Sequence, residues 1–135
     1  MTFDELNRVR ALREQLAAEI RRLETLRLAS SNLYRQLDGL PRSTPLTSPT
    51  ERLAAAIVDA EQKISELTAA LDESAANLSA EIYSTISDNL IASVLTMNFC
   101  AGVSTGEIAR RMNYTRNYIW KLRRRGVKIL TAGAA

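Results

Sequence analysis

The sequence predicts an all-α protein: a long antiparallel helical hairpin of coiled-coil character, followed by a C-terminal three-helix helix-turn-helix domain. Three observations lead there. Two long stretches carry apolar side chains at alternating spacings of three and four, and a Pro-, Ser- and Thr-rich stretch separates them. The last third of the chain reads as short helices with sharp start and stop signals, the final one strongly basic. Charge divides in the same place. Residues 1–102 carry 10 Lys and Arg against 14 Asp and Glu, a net of −4, whereas residues 103–135 carry 8 against 1, a net of +7; the chain as a whole is +3. A cationic module joined to a mildly acidic remainder is the pattern of a nucleic-acid-binding unit attached to something else.

The first helix is expected from Thr2 to about Asp38. Its stripe runs Val9, Leu12, Leu16, Leu23, Leu26, Leu33, Leu37 and Leu40, with Leu6 and Ile20 beside it and Glu19 interrupting it. Neither Pro nor Gly occurs before Gly39, so one helix about 54 Å long is the economical reading, and a helix of that length needs a partner. Gly39 and Pro41 end it, and a connector of about residues 39–49 follows, punctuated by Pro45 and Pro49. Thr50 is the expected cap of the second long helix, whose stripe is Leu53, Ile57, Ala60, Ile64, Leu67, Leu71 and Leu78, ending near Ser84. Equal lengths across one loop suit an antiparallel hairpin, with parallel pairing of two copies of the first helix as the alternative. Residues 1–84 are accordingly expected to oligomerise through leftover apolar surface, a dimer being favoured, and residues 85–135 to form the second domain.

From Ile82 to Ser87 the stripe is irregular, and Ser87 or Asp88 can cap a fresh helix containing Leu90, Ile91, Val94, Leu95, Met97 and Phe99, ended by Gly102. Ser104 with Glu107 three residues on forms a capping box, starting a helix at about Thr105. Ile108 and Met112 share one face of it, and the small Ala109 sits where a second helix must cross. Asn113 suits the left-handed turn that follows a helix. Tyr114 is expected to cap the small core and Thr115 to cap the last helix, in which Ile119 and Leu122 point back at Ile108 and Met112. Val127 to Leu130 extend that helix by a turn or two, and the last five residues are expected to fray.

The residues Phe99-Cys100-Ala101-Gly102-Val103-Ser104-Thr105-Gly106-Glu107-Ile108-Ala109, preceded by Val94-Leu95-Thr96-Met97, resemble region four of sigma-70-type factors over about the last 45 residues of the chain. With the long helices ahead of it, the whole chain is similar to small phage and prophage regulators of the RinA/ArpU type, on domain order and length more than on motif. What the resemblance implies is a phage or prophage transcriptional regulator acting on late genes, in contact with RNA polymerase.

Composition narrows the chemistry. There is no His and a single Cys, which excludes an intrachain disulfide, a Cys/His zinc site and any Ser-His or Cys-His nucleophile. Cys100 reads as a small buried apolar residue. Gly102 to Gly106 lack the Gly-Lys-Ser/Thr of a phosphate-cradling loop, and adjacent pairs such as Asp4-Glu5 and Asp72-Glu73 diverge by about 100° on a helix. No catalytic residue, metal site or cofactor is expected. The N-terminus carries charges of both signs where a secretory segment would be apolar, so a cytoplasmic protein is expected.

The expected partner is double-stranded DNA. In a helix-turn-helix the N-terminal part of the second helix enters the major groove, which puts Arg116, Asn117 and Lys121 at base edges. Arg suits guanine O6 and N7, and Asn suits adenine N6 and N7. Thr105 and Thr115 at the helix starts are assigned to phosphates, as are Arg110, Arg111, Arg123, Arg124, Arg125 and Lys128. Tyr118 and Trp120 are divided evenly between packing at the domain edge and sugar–phosphate contact. Two rival functions fit the same order of elements: a DNA-packaging recognition subunit of the small-terminase kind, and a coiled-coil adaptor whose basic end binds an acidic protein.

Overall fold

The computed structural model describes residues 1–37 and 48–132, and the regular structure in them is helical throughout. The expected helix stop at Gly39 and Pro41 and most of the 39–49 connector lie outside the described residues, as do Leu40 and the last three residues of the tail. Among the described residues five α-helices follow one another: α1 (Phe3–Leu37), α2 (Ser48–Thr85), α3 (Asn89–Leu95), α4 (Thr105–Met112) and α5 (Arg116–Thr131). Among the described residues no helix is long and apolar enough to cross a membrane.

Helix α1 opens with a complete capping box. The Thr2 hydroxyl accepts from the Glu5 amide at 3.2 Å, and the Glu5 carboxylate accepts from the Thr2 amide at 3.3 Å. Helix α2 starts earlier than the sequence suggests. It begins at Ser48, so Pro49 and Thr50 stand inside its first turn. Proline is at home there because the first-turn amides have no partner within the helix. Thr50 is therefore not the cap, and its buried hydroxyl has no hydrogen-bond partner.

The chain divides into two compact units, one of residues 14–69 and one of residues 1–13 with 70–135. In the first, Arg27 of α1 meets Glu61 of α2 at 3.2 Å, Ala18 and Glu19 lie beside Lys63 and Leu67, and Ala29 and Leu33 beside Arg52, Leu53 and Ala56. Positions rising along α1 meet positions falling along α2, so the two segments run antiparallel. Leu16, Leu26, Leu33, Leu53, Ile57, Ile64 and Leu67 are only half-buried, and full burial is reached at Leu23 and Ala60. Two helices cannot enclose a core by themselves. Ile20 faces solvent, as do Leu28 at 64% and Val58 at 60% exposure. Glu19 does interrupt the seam: its side chain is 12% exposed and accepts from Arg22 at 2.8 Å.

The second unit holds the larger core. Leu6, Val9, Leu78, Ile82 and Ile86 from the ends of α1 and α2 join Ile91, Val94, Leu95, Phe99, Ile108, Ile119, Leu122 and Leu130 in one buried cluster. Leu6, beside the expected stripe, is fully buried, and one expectation is corrected: the apolar pattern does not falter at Ile82 but carries on to Ile86, just past the end of α2. The expected boundary at 84/85 treats the C-terminal helices as free-standing, whereas their compact unit takes in residues 1–13 and 70–84 as well.

Asp88 caps α3, its carboxylate accepting from the Leu90 amide at 2.9 Å and the Ile91 amide at 3.4 Å. The helix then widens into a π-helical turn over Thr96–Cys100, closed by the Ala101 amide on the Thr96 carbonyl at 3.1 Å. Three consecutive residues there, Asn98, Phe99 and Cys100, are all buried. On one helix face that is impossible; it requires neighbours on several sides, here the start of α1, α4 and α5. Gly102 follows with φ +73° and ends the segment as expected.

Candidate nucleic-acid interface

The C-terminal helices are built from local signals that agree with one another. The Ser104 hydroxyl accepts from the Glu107 amide at 3.2 Å and starts α4. The reciprocal half of that capping box does not form. The Glu107 carboxylate instead accepts from Arg110 Nε and Arg111 Nε, each at 3.0 Å, and these hydrogen bonds hold it at a pKa of about 2, below the ordinary carboxylate range. Asn113 adopts the left-handed conformation, φ 59° and ψ 38°, and the Tyr114 amide closes the turn on the Ala109 carbonyl at 3.0 Å. The Thr115 hydroxyl accepts from the Tyr118 amide at 3.2 Å and starts α5. Ile108, Ala109, Ile119 and Leu122 are buried between the two helices, with Met112 at the edge. Tyr114 does not cap this core. It is 43% exposed, and its ring lies against that of Tyr118 with centroids 5.0 Å apart.

Helix α5 runs unbroken through Gly126, where it packs closely against α3. A Cβ there would stand 2.5 Å from Leu95 Cδ1 and 2.8 Å from Ile91 Cγ2. Glycine lets the helices touch, and Val127 and Leu130 pack on the core beyond it.

Opposite the buried line Ile119, Leu122, Gly126 and Leu130, α5 presents Asn117, Lys121, Arg124, Arg125 and Lys128 to solvent. Trp120 is exposed on the same side, with the Arg124 guanidinium 5.4 Å from its ring centroid. Trp120, Lys121, Arg124, Arg125 and Lys128 together line a shallow open groove. The expected base-reading and phosphate-binding residues are not equally placed for their tasks. Asn117 and Lys121 stand clear. Arg116 is exposed but folds back over α4, where its Nη2 lies 2.7 Å from the position a Cβ would take on Gly106. Arg110 and Arg111 are exposed while bound to Glu107. Thr105 is half-buried, and Thr115 already accepts one hydrogen bond, which leaves its hydroxyl proton free to donate.

Arg123 lies apart from the outward group. It is half-buried, its Nε donates to Asn98 Oδ1 at 2.8 Å, and its guanidinium rests 4.8 Å from the centroid of the buried Phe99 ring. Burial, together with the nearby Arg10, lowers its pKa from the ordinary arginine value. Two arginines that the sequence reading passed over share this place. Arg10 Nη2 donates to the same Asn98 oxygen at 3.4 Å, and Arg13 Nη2 donates to the Cys100 carbonyl at 2.7 Å. The one available signal was Asn98 itself, an amide side chain between Met97 and Phe99 in a mostly apolar stretch. Cys100 is buried as expected, and desolvation raises its thiol pKa in spite of Arg13.

Comparison of the chain with protein-family models, with curated proteins and with solved structures gives no match. The functional reading therefore rests on the geometry of these helices and on the sequence.

Proposed function

We propose that this chain is a sequence-specific DNA-binding transcriptional regulator in which α4, the turn at Asn113 and α5 form a helix-turn-helix, with α3 closing its core from behind. One observation carries the reading. The residues of α5 opposite its buried line are Asn117, Lys121, Arg124, Arg125 and Lys128, exposed together with no acidic residue among them. Such a face supplies polar groups for base edges near the helix start and cations for phosphates farther along. Asn117 and Lys121 are the foremost base-reading candidates, joined by Arg116 once its side chain leaves Gly106. Thr105, Thr115, Arg110, Arg111, Arg124, Arg125 and Lys128 hold the backbone.

In this reading the antiparallel segments of α1 and α2 form a helical hairpin that pairs two copies of the chain. Exposed Leu28 and Val58 supply apolar surface for that contact. A phage or prophage setting and contact with RNA polymerase rest on the sequence resemblance alone. The test is selection of bound duplexes from a random pool with the full chain, followed by measurement on the selected site. Asn117→Ala and Lys121→Ala are each expected to cost roughly 1–3 kcal/mol on the selected duplex and much less on a random one. Equal losses on both would remove the assignment of these residues to base reading.

A further inference from the structure

Three guanidinium groups from distant parts of the sequence gather around the π-helical turn, all within the unit that holds the C-terminal helices. Arg10 and Arg123 converge on a single oxygen, Asn98 Oδ1, at 3.4 and 2.8 Å, and both stand near the ring of Phe99. Arg13, one turn along α1 from Arg10, reaches the Cys100 carbonyl. Its other terminal nitrogen, Nη1, is buried and has no hydrogen-bond partner. The absence of a side chain on Gly102 makes its place, since a Cβ there would collide with that same Nη1.

The acceptors in this cluster are neutral: an amide oxygen, a carbonyl oxygen and an aromatic face. Asn98 cannot be the counter-ion, and its own Nδ2 is occupied with the Val103 carbonyl at 2.9 Å. Among the described residues the ion pairs join Arg22 to Glu19, Arg27 to Glu61, and Arg110 and Arg111 to Glu107; none takes in Arg10, Arg13 or Arg123. Like charges held together, partly desolvated and without a carboxylate, leave a deficit of negative charge. On the same turn, the buried Arg13 Nη1 is an N–H without an acceptor and leaves a deficit of lone pairs. An oxyanion supplies both negative charge and lone pairs. Arg10 is exposed and reachable from solvent, and Arg13 and Arg123 are half-buried.

We propose that Arg10, Arg13 and Arg123 form a binding site for a phosphate oxyanion. Planar guanidinium forks match its tetrahedral oxygens, and several of them together bind it more tightly than isolated surface cations do. The site stands independently of base reading by α5. Its phosphate can come from a nucleic-acid backbone or from free inorganic phosphate.

The test uses the full chain titrated with inorganic phosphate at constant ionic strength, chloride making up the balance. It is followed by thermal unfolding and by the side-chain Nε signals of arginine in NMR spectra. A saturable rise in Tm with phosphate, accompanied by a shift of the Arg123 signal, is expected. Arg13→Gln should weaken the apparent affinity about tenfold or more. Arg10→Gln, at an exposed position where folding is not at risk, should weaken it in the same direction. Phosphate and chloride acting alike, or unchanged phosphate affinity in Arg10→Gln, would overturn the site. Duplex DNA then separates the sources. If the site takes a backbone phosphate, excess duplex displaces inorganic phosphate and Arg10→Gln lowers the salt dependence of duplex binding by about one unit. If it takes free phosphate, both ligands bind together and the salt dependence is unchanged.

Discussion

Gly106 and Gly126 both place a poor helix former inside a helix, yet their surroundings give them opposite expected responses to alanine. At Gly126 the added Cβ would press on Leu95 and Ile91, side chains locked in the core. The gain in helix propensity, about 1 kcal/mol, is then outweighed by overpacking of about 1–3 kcal/mol. Gly126→Ala should lower stability in urea unfolding. At Gly106 the added Cβ meets only the far end of the exposed Arg116 side chain, which can swing away. Gly106→Ala should therefore stabilise by about 0.5–1 kcal/mol, and destabilisation would mean that the Arg116 contact is itself structural. Asn113 gives a third case. Its left-handed conformation costs a residue with an ordinary Cβ about 1–2 kcal/mol, so Asn113→Ala should destabilise while Asn113→Gly should not.

Among the elements, α4 is held by two separable devices, its serine cap and its surface ion pairs. Ser104→Ala removes the acceptor for the Glu107 amide and should cost about 1 kcal/mol. The pairs of Glu107 with Arg110 and Arg111 respond to pH. The folded-state pKa of Glu107, about 2, lies below its ordinary value of 4.5, so its stabilising contribution is complete above pH 4.5 and disappears as pH falls towards 2. The midpoint of urea unfolding should fall in that window, and the part due to Glu107 should vanish in Glu107→Gln. Because the group is at the surface the effect is small and weakens with added salt.

What the sequence revealed of these elements follows from how local each signal is. The caps at Ser104 and Thr115 and the left-handed Asn113 are decided by residues within four positions of one another and were legible, and Asp88 was one of two candidates for its cap. Thr50 misled because a threonine before an apolar run resembles a cap whether or not the helix has already begun. The π-helical turn left no trace in the pattern, and the Glu107 carboxylate had two possible partners in its own helix. Arg10 and Arg13 reach the π-helical turn across 88 and 87 residues of chain, and Arg123 reaches it across 25, a juxtaposition that periodicity in a single sequence does not encode. The outward face of α5 was legible because it is simply the complement of Ile119 and Leu122.

At the scale of the whole molecule, the proposed pairing of two chains rests on the thin burial in residues 14–69 and on exposed Leu28 and Val58. The full chain should sediment as a dimer or larger species, and Leu28→Glu should shift it towards monomer while leaving α5 able to bind a single site weakly. Sedimentation as a monomer with unchanged Leu28→Glu behaviour would remove self-association from the account. Truncation at residue 84 is a poor way to test it, because Leu78 and Ile82 would lose the core they share with the C-terminal helices.

The central claim, that the cationic face of α5 holds duplex DNA, is tested most directly by the salt dependence of binding of the full chain to a short duplex carrying one selected site. About five neutralised phosphates per subunit predict a slope of log K against log salt of about −4 to −5 for each bound domain, reduced by about one unit in Arg124→Ala and in Arg125→Ala. A slope near zero, or one unchanged when both arginines are removed, would contradict the claim.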